Sequence, residues 1–94
     1  MDRKKIILEE YTEHTFLFLD GFDSCIIGVC FASIEAPRVI YSVEAVLNEL
    51  TAGGLTYEEA LEHFEFNIFG AHVGDQTPIF AHAQQILNLV NTLY

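Results

Sequence analysis

Basic residues are nearly missing from this chain: after Lys5 only Arg38 remains, against 14 Asp and Glu, and the formal net charge is -10. That disfavours direct nucleic-acid binding, because releasing counterions from a phosphate backbone takes several clustered bases. A basic partner suits such a body better. No run of about 18 apolar residues is present to cross a bilayer, so no membrane contact is expected. The first residues also lack the apolar core and cleavage pattern of a signal peptide, which gives the expectation of a cytoplasmic protein. Cysteine is scarce. Cys25 and Cys30 lie five apart, neither a C-x-x-C redox motif nor a zinc knuckle, so two buried thiols are expected.

Apolar side chains are plentiful. They make up 51% of the 94 residues, with 13% aromatic, enough for a core and too many for a disordered tail. The length predicts one domain over residues 1–94, near the lower end of what folds alone.

Start, face and stop signals agree best over residues 55–78. Thr56 and Glu59 form a capping box, so a helix is predicted to begin at about Tyr57. Glu58, Glu59 and Glu62 fall in its first turns, where the helix dipole favours carboxylates. Tyr57, Ala60, Leu61, Phe64, Ile68 and Ala71 recur at helical steps and mark a core-facing stripe. Opposite runs a second line, Glu59, His63, Asn67, Gly70 and Gly74, that packing explains less well. Phe66 and Phe69 flank it, which places the Asn67 amide in apolar surroundings where it needs partners.

The residues of this stretch also carry a resemblance. Gly54-Leu55-Thr56-Tyr57-Glu58-Glu59-Ala60-Leu61-Glu62-His63-Phe64-Glu65-Phe66-Asn67, then Gly70-Ala71, Gly74, Thr77-Pro78 and Phe80, is similar to a pattern found in small uncharacterised proteins common in tailed-phage genomes. Upstream, Asp20-Gly21-Phe22-Asp23, Cys25-Ile26-Ile27-Gly28 and Val39-Ile40-Tyr41-Ser42 resemble further segments of that family. Cys25 stands in place of its alanine and Ser42 in place of its aspartate. The likeness covers residues 15–81 and implies phage origin, with no settled activity.

In chain order, residues 1–13 read as a short extra strand or a turn of helix. Residues 15–19, TFLFL, read as a strand stopped by Asp20-Gly21. Asp23 is expected to cap a helix over 24–33, in which Gly28 would allow a close backbone approach; strand competes there because CIIGVCF is rich in β-branched and aromatic residues. Pro37 ends that element and a strand follows over 38–41. Ser42 suits an N-cap for a helix over 43–52, stopped by Gly53-Gly54. After Gly74 a turn leads to a strand over 78–81. Residues 82–94, free of Asp, Glu, Lys and Arg, read as a terminal helix. The predicted fold is thus a small α+β domain of order β-α-β-α-α-β-α, with three short strands packed by the central helix.

Several residue groups invite chemistry. Glu59 and His63 share a helical face four residues apart, but a metal site would need a third ligand from His72, His82, Asp20 or Asp23, and no metal or cofactor is assigned. Asp20 and Asp23 fit an acid/base pair with Glu62 and His63; they fit better as turn former and cap, and no catalytic residue is assigned. Asn67, Gly70, Gly74 and Thr77 offer an amide, two bare backbone stretches and a hydroxyl, a cradle for a small polar ligand or a packing surface. The candidate binding residues are therefore Asp20, Asp23, Glu62, His63, Asn67, Gly70, Gly74 and Thr77. The expected function is a non-enzymatic binding protein of phage type in the host bacterial cytoplasm, its partner a host or phage protein or a small polar ligand, with inhibition or sequestration of a host defence component as the family-level expectation. The alternative is a small metal-assisted or acid/base hydrolase. The uncharged 82–94 segment, with Ile86, Leu87, Leu89, Val90, Leu93 and Tyr94, points to a homo-oligomer, most simply a dimer.

Overall fold

A computed structural model describes residues 2–82. The terminal helix expected over 82–94, and the dimer contact expected through it, lie outside these residues from position 83 on. The chain begins with helix α1, Arg3–Glu10, whose N-cap Asp2 accepts a hydrogen bond from the Lys5 amide at 3.1 Å. Of the two expectations for the first residues, helix is the one realised. Three strands follow, β1 (Ile26–Cys30), β2 (Arg38–Ser42) and β3 (Ile79–Ala81), in one sheet of spatial order β1-β2-β3. β2 is antiparallel to β1 and parallel to β3. A parallel neighbour cannot be reached by a hairpin. The crossover is supplied by α2 (Val43–Ala52), α3 (Tyr57–His63) and a π-helical turn, Phe64–Phe69. The fold is α+β, with three short strands as the sequence implies.

Two elements differ from expectation. Residues 15–19 form no strand. Phe16, Phe18 and Leu19 do pack against the core, but their backbone is held by side chains from elsewhere: the Leu19 amide donates to Tyr41 Oη at 2.7 Å, and the Gln76 amide donates to the Thr15 carbonyl. These contacts stand where ladder bonds would be. Residues 24–33 form no helix. Asp23–Cys25 is a single 3₁₀ turn, not a helix start, and β1 follows, so the β-branched content decides the outcome. The pairing register shifts between Ile26 and Gly28, the mark of a bulge. Gly28 is not there for a close approach, since a Cβ on it would meet only Ile40 Cδ1 at 3.9 Å.

The crossover is built as its sequence dictates. Ser42 ends β2 and caps α2, its hydroxyl accepting from the Ala45 amide at 3.2 Å, so strand turns into helix with no loop. At the other end the Leu55 amide donates to the Leu50 carbonyl at 3.3 Å across Gly54, whose φ of +115° an L side chain rarely adopts. The capping box of α3 is complete: the Thr56 amide donates to Glu59 Oε1 at 2.9 Å, and the Glu59 amide donates to Thr56 Oγ1 at 3.2 Å. Ala60, Phe64 and Ile68 are buried; Tyr57 and Ala71, expected on the same stripe, are exposed. The change of winding explains the narrower stripe. Four residues overshoot an α turn of about 3.6 and fall short of a wider π turn, so the offsets cancel from Ala60 to Ile68. Phe64 reaches the Phe80 ring of β3 edge-on, at 5.2 Å between centroids. The core closes between α2, α3 and the central strand, where Val39, Tyr41 and Val46 are fully buried.

Candidate functional site

The line on α3 and the π turn faces outward. An open groove of about 390 Å³ there is lined by Leu55, Glu59, Glu62, His63, Phe66 and Asn67. Three of the expected residues, Glu62, His63 and Asn67, are thus brought together. Asn67 is exposed, contrary to the apolar setting expected for it, and its amide nitrogen lies 3.3 Å from His63 Nδ1. Phe66 beside it is 75% exposed as well, so this ring does not cover the amide. Phe66 was the residue to notice. It sits three positions after His63 and four after Glu62, so any helical winding puts it on their face. Phe69 is 61% exposed and Tyr57 62%, though Phe69 keeps one side on the Phe64 and Phe80 rings. Exposed aromatic rings are enriched at binding surfaces, and carboxylates beside them fit the polar rim of such a surface.

The remaining candidates lie apart from this groove. Gly70 ends the π turn, where a Cβ would stand 3.3 Å from the Glu65 carbonyl. Gly74 lines a different cleft with His72, Asp75 and Arg38. Thr77 closes the loop before β3: its hydroxyl donates to the Gly74 carbonyl at 2.7 Å and accepts from the Val73 amide at 2.9 Å. Asp20 is exposed in the turn with Gly21, and Asp23 opens the 3₁₀ turn; neither lines the groove of Glu62 and His63.

Electrostatically the groove is acidic. Hydrogen bonds from the Thr56 backbone and side chain hold the Glu59 carboxyl below its ordinary range. Three of the four bases make contacts away from the groove. Arg3 Nη1 donates to the Ser24 and Ile26 carbonyls at 3.0 and 2.9 Å, Lys4 lies 5.0 Å over the Phe18 ring, and Arg38 donates to the Thr77 carbonyl. Burial pushes the Cys25 thiol up, while Cys30 is half-buried and both thiols are free. Among the described residues no three His, Cys, Asp or Glu side chains converge as a metal-ligand set, and no helix is long and apolar enough to cross a membrane. Comparison with protein-family models, with curated proteins and with solved structures finds no match.

Proposed function

We propose that the chain is a non-enzymatic binding protein whose recognition face is the outer side of α3 and the π turn. One observation carries the reading: Phe66, the most exposed ring of the helix at 75%, stands in a groove with Glu59, Glu62, His63 and Asn67. A large side chain left in water costs apolar burial that a partner recovers on docking. The carboxylates around it favour a protein that offers an apolar socket rimmed by Lys or Arg. The π winding adds support, because such turns are retained disproportionately at functional sites. The likeness of residues 15–81 to small phage proteins supports a setting in the host bacterial cytoplasm, with a component of host defence as the class of target and inhibition or sequestration as the action. Homo-oligomerisation is part of the same reading.

The test is native mass spectrometry of the purified chain against host lysate, repeated with variants. A partner retained by the parent and by Ile34→Ala, but lost by Phe66→Ala, is the expected result; Ile34 is the control because it is equally exposed at 75%. Loss in both variants or in neither contradicts the face. Turnover of a phosphoester or nucleotide that disappears in a folded His63→Ala variant replaces the binding reading with a hydrolase.

A further inference from the structure

Helix α1 is charged against its own dipole. Its first turn carries Arg3, Lys4 and Lys5 behind the N-cap Asp2, and its last turn carries Glu9 and Glu10 with no base at the end. The N-terminal end of a helix favours anions and the C-terminal end cations, so Glu9 and Glu10 oppose the dipole at one end while three bases outnumber the Asp2 cap at the other. Nor do its acids find cations nearby: the salt bridge present among the described residues joins His82 and Glu44. The helix is also incompletely buried. Ile7 alone enters the core, while Ile6 and Leu8 remain 42% and 49% exposed.

Beside α1 runs the free edge of the sheet. β1 pairs with β2 on one side only, and between its other side and α1 opens a groove of about 410 Å³. Arg3, Ile6 and Glu10 line it from the helix, Ile27 and Gly28 from the strand. Arg3, Ile6 and Glu10 follow at steps of three and four, so one helical face presents a base, an apolar side chain and an acid in that order. Ile27 adds a second exposed apolar side chain, at 43%.

We propose that this groove is a two-fold self-association surface, in which α1 of a second copy of the chain lies antiparallel to α1 of the first, with the Arg3 guanidinium, held at Nη1 by the Ser24 and Ile26 carbonyls, turning its other nitrogens to Glu10 at both ends and Ile6 and Ile27 covered between them. The inference rests on the homo-oligomer reading above and gives it a surface. A two-fold contact must be self-complementary, and a segment that is basic at one end and acidic at the other meets that condition in one orientation, the antiparallel one. The same orientation sets each helix end against a dipole of opposite sense, which offsets the misplaced charges. The charge distribution also selects the occupant. Three of the four bases of a chain with net charge -10 lie in α1, so this is the surface where one copy meets positive charge on another.

The experiment is sedimentation equilibrium on the full chain and its variants, each checked for folding by circular dichroism. The parent is expected to be a dimer. Glu10→Lys sets like charges together at both ends and should weaken the dimer by roughly tenfold or more. Ile6→Asp, a change on a solvent-facing side chain, should do the same. Mixing Glu10→Lys with Arg3→Glu should restore a mixed dimer, since opposite charges meet again at each end. A parent that is monomeric at high concentration overturns this surface together with the homo-oligomer reading. A dimeric parent whose folded Glu10→Lys and Ile6→Asp variants dimerise equally well overturns the surface alone.

Discussion

Phe64 shows how one side chain joins three elements. It leaves the helix where α-winding gives way to π, lies 5% exposed, and meets the Phe69 and Phe80 rings at 5.8 and 5.2 Å between centroids. Phe64→Ala therefore opens a cavity between the crossover and β3, and should cost about 3–5 kcal/mol. A domain of this size has little more than that to lose. The expected outcome is a chain largely unfolded in chemical denaturation at room temperature; a midpoint close to that of the parent would mean that this ring is not a core contact. Phe66, two positions on, carries the opposite role. Helical spacing already separates the two, Phe64 on the apolar stripe with Ala60 and Ile68 and Phe66 on the face of Glu62 and His63.

The best-read elements are those specified by local contacts. Ser42 with Ala45, and Thr56 with Glu59, bond within four residues, so α2 and α3 begin where their caps predict. The two misread segments depend on distant partners. Residues 15–19 are pinned by Tyr41 and Gln76, and β1 exists because β2 pairs with it; neither fact is visible within the segments themselves. The same locality makes the start of α3 sensitive to acid. Glu59 has its carboxyl held below the ordinary value by Thr56, so its contribution to stability is complete above that value and is lost as pH falls through the lowered one. Urea midpoints recorded between about pH 5 and pH 3 should fall less steeply in Glu59→Gln than in the parent, because the variant has no carboxyl to titrate against the Thr56 amide. Parallel slopes would show that the capping box does not couple to folding.

For the whole molecule, composition anticipated much and left the site half drawn. Charge and apolar content are enough for one small acidic domain, the order of helical and strand-like segments gives α+β, and the grouping of Glu62, His63 and Asn67 on one helical face comes from spacing alone. Gly74 joins them only if helical steps continue past Gly70, where the helix in fact ends; Thr77, read in the turn that follows, closes that loop instead of lining the groove. Asp20 and Asp23 are near β1 by sequence and apart from the groove in space. What results is a molecule with Arg3, Lys4 and Arg38 in contacts within the chain and with carboxylates and rings turned outward on α3. The most direct test of that arrangement is nuclear magnetic resonance of the isotope-labelled chain titrated with the partner captured from lysate. The account predicts that amide shifts concentrate on Glu59, Glu62, His63, Phe66 and Asn67, with residues 32–36 unmoved. Shifts confined to any other surface, with these five amides unchanged, would contradict it.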